Sequence, residues 1–241
     1  MSSDGDHALG RGGFERRVRA ELAQIARHLR AEHASIEATL EVITRSARVV
    51  VPGTEEAGIT LVTRRGGFQS RAATSKLPTL IDDLQYRLDE GPCVQVIWHH
   101  DTVLVTDMAT ERRWPRFAPE AAGIGARSML VFPLYTTEKA LGALSLHSRG
   151  ADAFDETAVS IGSTLAAHAA IALIACQREE QFRDALVSRE TIGQAKGMLM
   201  QRYSIDAAQA FTLLVTRSQR TNIPVSEVAL RIVEHGPDPA K

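Results

Sequence analysis

Residues 128–148 read SMLVFPLYTTEKALGALSLHS. The two apolar runs, SMLVFPLYT and ALGALSLHS, are predicted strands joined across Glu138-Lys139. Upstream, VLVTD at 103–107 is a third predicted strand. ITLVTRRGGFQSRAAT at 59–74 reads as a hairpin with Gly66-Gly67 at its turn. Between these strands, Leu77, Ile81, Leu84 and Leu88 keep helical spacing, and DEGPC at 89–93 is a loop before a short helix ending at His99. Strands and helices do not alternate strictly, so the expected class is α+β with an antiparallel sheet.

Downstream of the strands, Asp155 is placed to cap a helix, with Glu156 in its first turn. No proline occurs from Glu156 to Ile223, so one long helix is expected to leave the sheet. Leu165 to Cys176 is apolar nearly all round, as for a helix lying on a sheet, and is too short to span a bilayer. After Gln177 the apolar residues thin to Phe182 and Leu186 within a charged run, which marks a helical linker at 177–187. Residues 188–235 hold three helical patterns. Their expected inward positions are Ile192, Ala195 and Leu199; then Ala207, Phe211 and Leu214; then, from Pro224, Val225, Val228, Ala229 and Ile232.

Upstream of the strands, residues 1–13 are a polar, glycine-rich tail. From Phe14, Val18, Leu22, Ile25 and Leu29 form a narrow apolar stripe among arginines, giving an N-terminal helix at 14–34. Ile36, Leu40, Ile43 and Ala47 repeat the pattern until Pro52-Gly53 stops it. The domain division is therefore a tail at 1–13, a helix at 14–34, a mixed domain at 35–176, a linker at 177–187 and an all-α unit at 188–235. The stripes Leu22, Ile25, Leu29 and Phe182, Leu186 are too narrow to stabilise isolated helices, so a second copy of the chain is expected to cover them.

Composition narrows the function. The chain has 241 residues, 44% hydrophobic and 24% charged, as in an ordinary globular protein. The net charge of −1 excludes a global basic field, and 5% aromatics are too few for a stacking platform for single strands. The N-terminus has no basic start followed by an apolar run, so a cytoplasmic protein without membrane attachment is expected.

No P-loop, GxSxG or HExxH motif occurs, and Cys93 and Cys176 lack metal-ligand spacing, so no catalytic residue, metal or cofactor is assigned. Cys93, His99, His100, Glu90 and Asp107 fall in one loop-rich region, but Cys93 follows Pro92 at a helix start and reads as a small buried group. His147 and His168 sit in apolar patterns and read as core histidines.

The segment SRETIGQAKGMLMQR at 188–202 is the more informative one. Gly193 and Gly197 each cost a helix about 1 kcal/mol relative to Ala. Arg189, Gly193, Lys196 and Met200 share one stripe, away from Ile192, Ala195 and Leu199. Bare backbone beside Lys196 suits close approach by a phosphate, or by another helix. Residues 188–235 carry six basic and four acidic residues, which permits nucleic-acid binding without demanding it.

The run from Glu190 to Val233 closely resembles the ANTAR domain, a three-helix RNA-binding module of bacterial antiterminators. The matching residues are Ala195–Met200, Ala210-Phe211, Ser218-Gln219 and Asn222. The sequence departs from the pattern at Val215, where many members carry arginine, and at Tyr203, where glycine is common. Residues 35–176 resemble a GAF domain, on VPGTEEAGITL, DEGPC, the two central strands and the closing FDETAVSIGSTLAAHAAIAL helix. The resemblance implies a GAF-like antiparallel sheet joined through a long helix to a three-helix ANTAR domain.

It also implies a signal-responsive, non-enzymatic homodimer that binds hairpins in nascent leader transcripts and prevents termination. A small-molecule ligand or signalling partner, of unspecified identity, would act at the GAF-like domain. The implied RNA-binding residues are Arg189, Gln194, Lys196, Gly197, Arg202, Arg217, Ser218 and Asn222. Two alternatives stay open: a DNA-binding regulator with a helix-turn-helix-like C-terminus, and a dimerisation or interaction module that binds no nucleic acid.

Overall fold

The computed structural model describes Ala20 and residues 35–63, 67–135 and 140–236. The tail at 1–13, the helix at 14–34 apart from Ala20, with Leu22, Ile25 and Leu29, and also Gly66 and the Glu138-Lys139 connection, lie outside the described residues. The chain divides between Cys176 and Gln177 into two compact units.

In the N-terminal unit, helix α1 (Ile36–Val50) starts where the Ser35 hydroxyl accepts the amide of Ala38 at 3.1 Å. Its buried residues Leu40, Ile43, Ala47 and Val50 recur at helical spacing. Then follow β1 (Glu56–Val62), β2 (Phe68–Arg71), α2 (Lys76–Leu88), α3 (Pro92–His99), β3 (Val103–Val105), α4 (Phe117–Ile124), β4 (Ser128–Tyr135) and β5 (Ala140–Ser148). Helix α5 (Glu156–Tyr203) closes the unit and continues into the next. The sheet order is β2-β1-β5-β4-β3, and every neighbouring pair is antiparallel. The expected α+β class with an antiparallel sheet is the observed one.

Both faces of the sheet are covered. Ile59, Leu130, Phe132, Leu144 and Leu146 pack with residues of α1 and α5. Met129, Val131 and Ala143, with Val103 and Val105, pack with Leu77, Ile81, Val96 and Phe117 from α2, α3 and α4. Double coverage explains why β4 is an almost unbroken apolar run rather than an alternating one. Gly142 lies where a Cβ would collide with the Thr60 carbonyl oxygen, so its lack of a side chain lets β5 close on β1.

The stretch Leu165–Cys176 lies on the sheet as expected, but by one face only: Leu165, Ala166, Ala169, Ala170 and Leu173 are buried, whereas Ala167, His168 and Ala175 are exposed and Ile171 is 62% exposed, which corrects one expectation. His168 is thus no core histidine; its position turns outward from the face that meets the sheet. The helix also contains a window long and apolar enough, by length and composition, to cross a membrane. Packing of its inner face against the sheet accounts for much of that apolar content. His147 is fully buried as expected, with Nε2 3.1 Å from Ser145 Oγ and no hydrogen-bond partner for Nδ1.

Gly142→Ala is expected to lower stability by about 1–3 kcal/mol or more, because the added methyl meets backbone that cannot move without parting β1 from β5. A urea melt of the full chain measures it.

Candidate nucleic-acid interface

The C-terminal unit contains the end of α5, α6 (Ala207–Thr221) and α7 (Val225–His235). Helix α5 ends where Ser204 turns left-handed at φ 51°. Asp206 then starts α6 with a reciprocal cap: its carboxylate accepts the Gln209 amide at 2.8 Å, and the Gln209 side-chain oxygen accepts the Asp206 amide at 3.0 Å. Asn222 ends α6 left-handed at φ 53°. The Ser218 hydroxyl donates to the Ile223 carbonyl at 2.6 Å, which fixes the turn into α7.

Ala195, Leu199, Ala210, Leu214, Val228, Ala229 and Ile232 form the core. This corrects the expected inner face of α6, since Ala207 and Phe211 are exposed and Ala210 is buried. Three alanines at the centre let the helices approach closely, which sets a register that larger residues would not.

The residues expected to bind RNA fall in two groups. Arg189, Gln194, Gly197 and Arg202 are exposed on α5, and Lys196 is half-buried. Apart from the adjoining turns of α5 itself, no described atom comes within 4 Å of where a Cβ would stand on Gly193 or Gly197. The side chains of Arg189, Lys196 and Arg202 make no hydrogen bond or ion pair with another described residue, whereas Gln194 lies 3.5 Å from Glu190.

The second group sits on α6. Arg217 and Asn222 are exposed, and Ser218 is half-buried and hydrogen-bonded to the turn. Arg217 lines a groove of about 730 Å³ with Leu199, Tyr203, Leu213, Arg220 and Thr221. None of Arg189, Gln194, Lys196 or Gly197 lines that groove. Sequence reasoning missed Arg220 and the groove. The three-residue spacing of Arg217 and Arg220 was the available signal. On α7, Arg231 is paired with Glu227 at 2.7 Å, so that helix offers base edges little beyond Ser226.

A GAF domain model matches residues 33–174, more than half the chain. The chain belongs to the GAF domain family. An ANTAR domain model matches residues 180–233, so an ANTAR domain follows the GAF domain. ANTAR domains are RNA-binding antitermination modules, and GAF domains are signal-sensing domains.

Solved structures share the GAF fold. The GAF domain of a phosphoenolpyruvate-protein phosphotransferase from Coxiella burnetii has a TM-score of 0.54 at 16% identity, covering 68% of this chain and 97% of that one. The GAF domain of the Acinetobacter phosphoenolpyruvate-protein phosphotransferase has 0.52 at 17%, covering 68% and 97%. Free methionine-R-sulfoxide reductase from Neisseria meningitidis, in complex with its substrate, has 0.50 at 18%, covering 74% and 96%. At these identities the likeness is one of fold. No curated protein matches the chain.

Within the GAF domain, the polar residues of the DEGPC region have separate partners. Glu90 is paired with Arg116 at 2.7 Å, and that hydrogen bond holds its carboxyl below the usual range. Asp107 is paired with Arg127 at 2.8 Å, with the same effect. Cys93 is buried, and burial pushes its thiol far above the usual range, so it is a poor nucleophile. His99 ends α3, and His100 caps it left-handed at φ 62°. Among the described residues, no three His, Cys, Asp or Glu side chains converge to hold a metal ion.

Gly193→Ala and Gly197→Ala are each expected to stabilise the ANTAR domain by up to about 1 kcal/mol, since the methyl meets open space and helical propensity improves. Slower hydrogen exchange across 188–235 is the readout.

Proposed function

We propose that this protein is a cytoplasmic, signal-responsive regulator that binds hairpins in nascent leader transcripts through its ANTAR domain and prevents termination. The supporting observation is the α5 stripe, where Arg189 and Lys196, which pair with no other described residue, stand beside Gly193 and Gly197, whose outer side no described residue covers. A phosphate can come close to such bare backbone and meet the lysine at short range. Arg202 and Arg217 extend the charge along the RNA backbone. Gln194 and Asn222 supply exposed amides for unstacked loop bases, and Ser218 holds the turn that carries Asn222. The GAF domain receives the signal and performs no catalysis.

Two glycines that weaken the helix without packing against anything fit a functional role. Gly197→Ala is therefore expected to weaken hairpin binding while stabilising the fold. Lys196→Ala should weaken it and make the salt dependence shallower by about one unit of slope, as for one lost phosphate contact. A salt series of binding to hairpin RNA and to duplex DNA checks both. Equal binding to the two would favour the DNA-binding reading, and binding to neither would favour an interaction module.

The protein acts as a homodimer in this proposal. Phe182 is 66% exposed and Leu186 50% exposed, four residues apart on α5, and water is a poor neighbour for both. A second chain covering this stripe, together with Leu22, Ile25 and Leu29, would present paired ANTAR domains to paired hairpins. Leu186→Asp is expected to shift the protein to monomer in light scattering at micromolar concentration, with its circular dichroism spectrum retained.

A further inference from the structure

The GAF domain contains a cavity of about 350 Å³ between β1, β2, α2 and α3. Its walls are partly apolar, with Phe68, Tyr86, Val94 and Ile97 around a polar floor. The β1–β2 register sets Thr60 opposite Ser70 on that floor. Asp82 of α2 faces them and is only 7% exposed. Its Oδ1 accepts the Thr60 hydroxyl at 2.9 Å and, more weakly, the Gln85 amide at 3.5 Å. Its Oδ2 and the Ser70 hydroxyl are both buried; Ser70 lies close enough to favour the ionised carboxyl but makes no hydrogen bond of good geometry, and no other described donor reaches either atom. The Gln85 oxygen is already engaged by the Cys93 amide at 2.7 Å.

A buried carboxylate is costly unless charge and hydrogen bonds compensate it. No lysine, arginine or histidine is among the described residues that line the cavity. Holding Thr60 needs only one neutral acceptor, and the weak Ser70 contact adds little, so local hydrogen bonding does not explain a buried acid facing the cavity without a counter-charge. A metal ion would need several more oxygen ligands than Asp82 and two hydroxyls provide. A flat ligand with two N–H groups would instead reach Oδ2 and Ser70 together and place its plane against Phe68 and Tyr86.

Taking the GAF domain as the signal-receiving part, we infer that this cavity binds a small planar organic cation of amidinium or guanidinium type, with Asp82 as its counter-ion. Burial, reinforced by the neighbouring Asp83, pushes the Asp82 carboxyl up to about 6, against the lowering effect of the Ser70 and Thr60 hydroxyls. The cation needs the ionised form, so its affinity rises with pH through about 6 and levels off above. The other titratable groups facing the cavity are Asp83 and Tyr86 on α2 and Cys93 on α3; Thr60 and Ser70 on the strands do not titrate.

The test is calorimetry on the full chain with benzamidine, and with benzoate as a control of the same shape and opposite charge. Benzamidine binding, no benzoate binding and a rise in affinity from pH 5 to 7 are expected. Asp82→Asn should weaken benzamidine by about 10- to 100-fold, the range for a charge-assisted hydrogen bond. Val94→Trp fills the cavity while leaving Asp82 in place and should abolish binding, which covers the case in which Asp82→Asn misfolds. A folded protein that ignores millimolar benzamidine, or binds benzoate as well, or keeps its affinity in folded Asp82→Asn overturns the inference. Hairpin binding by the same samples is scored separately, so loss of the antitermination reading and loss of the cavity inference are distinct results.

Discussion

The N-terminal unit depends on β5 being enclosed on all sides. It pairs along its length with β1 and β4, and its residues are buried on both faces of the sheet. Polar groups on that strand can therefore find partners only within the protein, and Nδ1 of His147 finds none among the described residues. Ser145 finds one by donating to the Gly58 carbonyl across the β1 pairing, and it also meets His147. Thr60, beside them on β1, turns to Asp82. The same enclosure that makes a stable centre thus creates a polar seam on the α2–α3 side of the sheet, and the cavity opens at the end of that seam.

The ANTAR domain works from the opposite condition. Its core is small, with seven fully enclosed side chains, three of them alanines. A core of that size leaves little margin, so local devices carry weight: the reciprocal Asp206–Gln209 cap and the Ser218–Ile223 bond define both turns between helices. Against this background, two uncovered glycines in α5 are a real sacrifice of helix stability.

What could be read in the sequence follows from how each signal is encoded. The β4 and β5 strands and the unbroken α5 were legible because apolar runs and the absence of proline act over many residues. The facing of Leu165–Cys176 was not, because a helix apolar on every side has no period to show which side is outward; His168 was misjudged for that reason. Phe211 was misjudged because its bulk suggested burial, whereas close helix packing selected the neighbouring Ala210. The cationic stripe on α5 was legible from spacing alone, since it lies on one helix. The groove at Arg217 and Arg220 and the buried carboxyl of Asp82 were not, because each arises where several elements meet, and Asp82-Asp83 reads in isolation as an ordinary solvated helix face.

Two buried titratable groups of the GAF domain, His147 and Asp82, respond to acid in opposite directions. Burial lowers His147 from 6.5 to about 3, so the folded state refuses a proton that the unfolded chain accepts, and stability falls as pH drops below about 6.5. Asp82 is raised from 3.8 to about 6, so the folded state holds a proton that the unfolded chain releases, and stability falls as pH climbs from about 4 to about 6. Across that shared interval the two slopes oppose each other: on unfolding, Asp82 releases a proton and His147 takes one up, so their contributions to the pH dependence cancel in part.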